Sequence, residues 1–163
     1  MKPKLLVSAC LLGTPCRYDG KSKKNEAVCA LAERFELIPV CPEVLGGLPT
    51  PRTPSERRGA CVVRKDGRDV TAEYRRGAEC ALETARREGV LAAVLKERSP
   101  SCGSGEIYDG TFTGALTAGD GVTAELLKAN GITVYGEGEQ SLTEFLCSDR
   151  KSTRLNSSHE SPS

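Results

Sequence analysis

The stretch VLAAVLKERSPSCG, residues 90–103, sets a short apolar run against a turn of serine, proline and glycine that carries one cysteine. The run reads as a strand. On its N-terminal side lies DVTAEYRRGAECALETARREG (69–89), a helical pattern opened by an Asp or Thr cap and stopped at Gly89. On its C-terminal side GVTAELLKANG (121–131) makes another helix, with Gly131 as its C-cap. A strand enclosed by helices finds its sheet neighbours through crossover connections, which make those neighbours parallel. Two upstream runs, KLLVSAC (4–10) and FELIPVC (35–41), read as further strands around the helix NEAVCALAERF (25–35), capped by Asn25, and ITVYGE (132–137) adds a last one. The expected fold is a single Rossmann-like α/β layered domain with a mostly parallel sheet. PEVLGGLPTPRTPSERRG (42–59), with four prolines and three glycines, is expected to be a loop. Asp66-Gly67, between short β-prone runs, predicts a small hairpin.

The chain has 163 residues and a formal charge of +1, so no global electrostatic footprint for nucleic acid or anionic lipid is expected. Aromatic residues make up only 4%, which argues against a stacking platform for single-stranded nucleic acid. No apolar run approaches the roughly 20 residues of a membrane helix, and the N-terminus does not read as a signal peptide. A cytoplasmic protein is expected, without membrane or nucleic-acid partners. The last stretch, SDRKSTRLNSSHESPS (148–163), is serine-rich and aperiodic, and resembles translated sequencing-adapter read-through. The domain is therefore assigned to 1–147 and a disordered tail to 148–163. His159, the one histidine, falls in that tail, so histidine chemistry drops out.

Eight cysteines remain to be explained. In a reducing cytoplasm their roles are metal binding, catalysis or burial. Cys10, Cys41 and Cys102 stand at, or a few residues past, the ends of the three strongest predicted strands, where an open parallel sheet binds ligands. The expectation is that they converge in space. Soft thiolates select zinc, copper(I) or iron–sulfur clusters. Paired Cys-x-x-Cys knuckles are missing, which demotes structural zinc. Three separated thiolates could hold a [4Fe–4S] cluster whose fourth iron is left for a substrate. Cys29, Cys80 and Cys61 read as core residues and Cys147 as incidental. Cys16 could be a fourth ligand, a redox partner of Cys10, or structural.

Without histidine, proton transfer falls to carboxylates, hydroxyls, lysine, tyrosine or water. Glu43, two residues from Cys41, is the carboxylate nearest in sequence to the expected crevice. Ser99 and Ser101 could orient a substrate, and Arg52 or Arg17 could recognise a carbonyl or an anion. GEIYDGTFTG (105–114) lacks the order of a phosphate-binding loop.

SACLLGTPCRYDG, CPEVLGGLPTPR, GRDVTAEYRRGA, LKERSPSCG and IYDGTFTGALTAGDGVTAELLKANGI occur in one order across residues 4–137, and together they resemble the 2-thiouracil desulfidase family. The resemblance implies a [4Fe–4S] enzyme that converts 2-thiouracil or a related thiolated base, with water, to uracil and hydrogen sulfide. Carried over by motif, the cluster ligands are Cys10, Cys41 and Cys102, the catalytic carboxylate is Glu43, and the serine is Ser99, with Ser101 open. Ser101 and Arg52 are assigned to substrate binding. The competing readings are a non-catalytic metal-binding or thiol-redox protein and a sulfur-transfer enzyme acting on thionucleosides or RNA.

Overall fold

The computed structural model describes residues 2–160, the side chains of 150–160 excepted. Four parallel strands form the central sheet: β1 (Lys4–Ser8), β2 (Glu36–Val40), β5 (Ala92–Val94) and β8 (Val134–Tyr135), in the order β2-β1-β5-β8. From β1 the chain crosses to one side for β2 and to the other for β5, so the order reverses between β1 and β5. Such a switch point is where an open parallel sheet leaves a crevice beyond its carboxyl ends.

The layers follow from the alternation of β1. Leu5 and Val7 face one core, with Val28, Phe35, Leu142 and Phe145, while Leu6 faces another, with Ala81, Ala85, Leu95 and Leu127. Buried on both faces, β1 is a continuous apolar run, as a central parallel strand requires. Helices α1 (Glu26–Ala30) and α5 (Glu139–Glu160) contribute to the first core, α3 (Thr71–Glu88) and α4 (Val122–Ala129) to the second. Asn25 caps α1 through a hydrogen bond from Val28 N, and Gly89 ends α3 in the left-handed region. The segment assigned to a tail enters the structure through α5; from residue 150 onward its side chains, that of His159 included, lie outside the described residues.

The expected loop at 42–59 carries more order than its composition indicates. It opens with a short helix, α2 (Pro42–Leu45), in which Pro42 occupies the first turn, where its missing N–H costs nothing. Beyond Pro54 it forms β3 (Ser55–Arg58), antiparallel to β4 (Cys61–Arg64). The hairpin therefore bends at Gly59, and Asp66-Gly67 makes only a turn with a single bridge between Val63 and Asp69. A second small ribbon, β6 (Glu106–Tyr108) with β7 (Leu116–Ala118), was not expected from the glycine-rich sequence.

One contact fixes α2. Its C-terminal Gly46 and Gly77 of α3 meet backbone to backbone: a Cβ on Gly46 would stand 2.0 Å from Glu73 O, and one on Gly77 1.9 Å from Pro42 O. Neither position admits a side chain. Replacing Gly77 by Ala forces α2 and α3 apart and is expected to destabilise the fold by about 1–3 kcal/mol, the usual cost of overpacking; an unchanged denaturant midpoint would contradict this.

Candidate active site

The carboxyl edge of the sheet surrounds a cavity of about 540 Å³ whose wall includes Cys10, Cys16, Cys41 and Cys102. Each thiol arrives on its own element. Cys10 lies in the 3-10 turn Ala9–Leu12 that follows β1, Cys41 is the N-cap of α2 directly after β2, and Cys102 sits in the turn after β5. The ends of β1 and β5 are tied by Ser8 Oγ, which accepts Lys96 N–H at 2.8 Å. The strand-end convergence expected for Cys10, Cys41 and Cys102 is thus how the chain places them. A larger recess, about 690 Å³, runs along β8 and α5 but holds none of these thiols, so size does not identify the site.

The turn that carries Cys102 is organised by Ser99. Its Oγ accepts the N–H groups of Ser101 and Cys102, both at 3.1 Å, and its carbonyl accepts Gly103 N–H at 2.9 Å. With both lone pairs engaged, the Ser99 hydroxyl proton is left to donate, and Ser99 lines the cavity. Ser101 points elsewhere. It is fully buried, its Oγ lies 2.9 Å from Thr123 Oγ1 and accepts the Cys102 S–H, and its carbonyl receives Thr123 N–H at the start of α4. Gly121 permits this docking, since a Cβ there would stand 2.4 Å from the Ser101 carbonyl carbon. Ser101 therefore seats the turn on α4 and is not on the cavity wall.

Glu43, on α2, lines the cavity with both oxygens engaged from behind. Arg52 Nη2 approaches Oε1 at 3.3 Å, and the Tyr74 hydroxyl of α3 donates to Oε2. Arg52 is buried and joins several loops: Nη2 also reaches Cys16 O at 3.0 Å, and Nη1 reaches Pro49 O and Thr50 Oγ1, each at 3.1 Å. Its Nε is buried without a partner. The arginine thus positions Glu43 and the Cys16 loop from outside the cavity. Each carboxylate oxygen of Glu43 keeps a further lone pair for a ligand or a water. Burial, then the Glu43 charge, pushes the Tyr74 hydroxyl well above the ordinary tyrosine range, so it remains a donor.

Glu43 and Tyr74 also show what the sequence conceals. A buried tyrosine needs a polar partner. Tyr74 falls on the inward stripe of α3 with Gly77, Ala78, Ala81 and Ala85, which signals burial without naming the partner. Cys16 lies close to the other thiols: hydrogen bonding with Cys10 raises its thiol, and hydrogen bonding with Cys16, followed by burial, raises that of Cys41. Burial above all, with the Glu43 charge next, pushes Cys102 up to about 12. The thiols stand around the cavity rather than meeting at one point; among the described residues no three His, Cys, Asp or Glu side chains are placed to hold a single metal ion. Of the cysteines expected in the core, Cys61 is exposed and Cys29 and Cys80 are half-buried.

A family model described as 2-thiouracil desulfurase matches residues 5–139. The chain is 44% identical over 145 residues to the uncharacterized protein YbbK of Bacillus subtilis (strain 168), covering 83% of this chain and 96% of that one. A solved structure described as the [4Fe–4S]-dependent thiouracil desulfidase TudS superposes with a TM-score of 0.83 at 51% identity, over 90% of this chain and 97% of the other.

Burial and a raised pKa keep a thiol from reacting, because the thiolate is the nucleophile. In native protein free of metal, iodoacetamide at pH 8 is expected to alkylate the exposed Cys61 and Cys147 and to spare Cys102. Peptide mass spectrometry reads this directly, and rapid labelling of Cys102 would contradict the buried placement.

Proposed function

The chain belongs to the 2-thiouracil desulfurase family, and on that premise we propose that Cys10, Cys41 and Cys102 hold the [4Fe–4S] cluster of a thiouracil desulfidase, with Glu43 and Ser99 acting on the bound base. The overall reaction converts the thiolated base and water to uracil and hydrogen sulfide. One observation carries the assignment of residues: three thiols from three strand ends line a single cavity with Glu43 and Ser99. The donor set fits the group. It is all soft sulfur, and thiols spaced around a cavity suit a cluster, in which each iron takes its own thiolate. Three such ligands leave one iron without a protein donor.

Held by Cys10, Cys41 and Cys102, the cluster would supply Lewis-acid chemistry toward a thiocarbonyl sulfur. Glu43 takes the proton of the water that attacks C2, the carbon losing sulfur, while Arg52 and Tyr74 hold its carboxylate toward the cavity. Ser99, with its oxygen already accepting two N–H groups, donates its hydroxyl proton in a hydrogen bond to the base. Tyr18 and Tyr108 line the same cavity and offer flat apolar surface to a pyrimidine ring. A small thiolated base is the proposed substrate, residues 1–147 the proposed catalytic unit and the cytoplasm the proposed location, where eight free thiols persist. No helix among the described residues is long and apolar enough to cross a membrane.

Iron analysis and turnover test this together. After anaerobic reconstitution, about four irons per chain are expected; Cys10→Ala, Cys41→Ala and Cys102→Ala each lose the cluster, whereas Glu43→Gln keeps it and loses at least about 100-fold in kcat. A fully active Glu43→Gln protein, or a full iron complement in all three cysteine variants, would overturn the assignment. Tyr74→Phe is expected to keep its iron and lose about tenfold in kcat with little change in KM, because it removes only the group that steadies Glu43.

A further inference from the structure

On the reading that a thiolated pyrimidine occupies the cavity, we propose that Glu56 is a specificity residue that accepts a hydrogen bond from one of the ring N–H groups flanking the thiocarbonyl carbon. Glu56 lies on β3, inside a segment whose composition reads as loop, and only 9% of it is exposed. Its Oε1 accepts two backbone N–H groups, Gly110 at 2.9 Å and Phe112 at 3.1 Å. The chain between these two N–H groups turns at Gly110, in the left-handed region at φ +93°, and Phe112 follows in the same region at φ +59°. Arg58 holds the same loop from its other side through Gly110 O at 2.7 Å. Oε2 receives no donor from the described residues, and Glu56 lines the cavity.

Oε2 is open to the cavity, so a bound ligand can supply the donor that the described residues do not. The base has such donors in its two ring N–H groups, and its remaining polar groups are acceptors. Glu43 already accepts from Arg52 and Tyr74, and Ser99 is set up to donate. Glu97 also borders the cavity, but its carboxylate lies against Gly136 and Gly138 near the end of β8, which leaves Glu56 as the carboxylate on the wall beside the thiols with a wholly unused oxygen. A hydrogen bond between this carboxylate and a ring N–H is charge-assisted. A site built around it discriminates against a base that lacks the N–H, because the carboxylate is then left unpaired.

Glu56→Gln separates the two roles of the side chain. The amide oxygen can still accept from Gly110 and Phe112, while the amide nitrogen stands where Oε2 stood and presents a donor to a donor. Uracil is the probe, since it keeps both ring N–H groups and its binding is read by calorimetry on the cluster-loaded protein without turnover. Glu56→Gln is expected to weaken uracil at least about tenfold, with iron content and near-ultraviolet circular dichroism unchanged. Wild-type protein is expected to lose about tenfold for 1-methyluracil or for 3-methyluracil relative to uracil, and the variant to lose that preference. Uracil binding within twofold of wild type in a fully loaded Glu56→Gln protein would overturn the proposal. If the variant does not fold, the methyl series on wild type decides: equal binding of all three compounds overturns it. Wild-type protein with full iron that binds no uracil would overturn the thiopyrimidine reading itself, and the proposal with it.

Discussion

The backbones of α2 and α3 touch at Gly46 and Gly77, with no room for a Cβ on either side. Everything assembled at the β2 edge of the cavity depends on that approach. Cys41 is the N-cap of α2 and Glu43 lies in its first turn, so the position of both is the position of this four-residue helix. A helix so short has little stability of its own. It is held by packing on α3, and α3 in return brings Tyr74 to Glu43. A tight contact between two glycines thus sets the relation between a thiol and a carboxylate that contribute to one wall.

The polar side chains behind the cavity extend this into a connected set. Arg52 links the carbonyl of Cys16, the carboxylate of Glu43 and the Pro49–Thr50 loop. Buried ion pairs add little net stability by themselves, and the loss of one partner is costly because the other charge is stranded. Here Arg52 bonds both the helix after β2, through Glu43, and the loop after β1, through Cys16 O, beyond the point where the pairing of the two strands ends. On the far wall the same work is done by serines bonded to backbone: Ser99 Oγ closes the turn around Cys102, and the Ser101 carbonyl and hydroxyl seat it on α4. Glu43 and the Cys102 turn are consequently each held by hydrogen bonds from behind the cavity, which is what keeps functional side chains in a single arrangement.

How much of this was legible differs by the kind of signal. The parallel sheet followed from apolar runs alternating with helical spacing, and Leu5, Leu6 and Val7 do divide between two cores as an enclosed strand must. The convergence of Cys10, Cys41 and Cys102 was legible too, because strand ends share an edge whatever their separation along the chain. The pairing of β3 with β4 was hidden by prolines that stop at Pro54, one residue before the strand begins. Ser101 and Arg52 could not be separated from cavity residues by spacing: Ser99 and Ser101, two positions apart in one turn, face opposite ways, and only Thr123, more than twenty positions on, shows which is buried. Tyr74 and Glu56 were missed because each acts through a partner from a distant segment, and no local pattern encodes such a meeting.

The three proposed cluster ligands are spread from residue 10 to residue 102, and the turn bearing the last of them rests on a helix that begins at Val122. A ribosome releasing this chain therefore exposes two of the thiols long before the third has a place to sit. Until α4 has emerged, the turn that bears Cys102 lacks the helix on which it is seated. For the ligand set proposed above, the complete set of thiols exists only after nearly the whole domain has been translated.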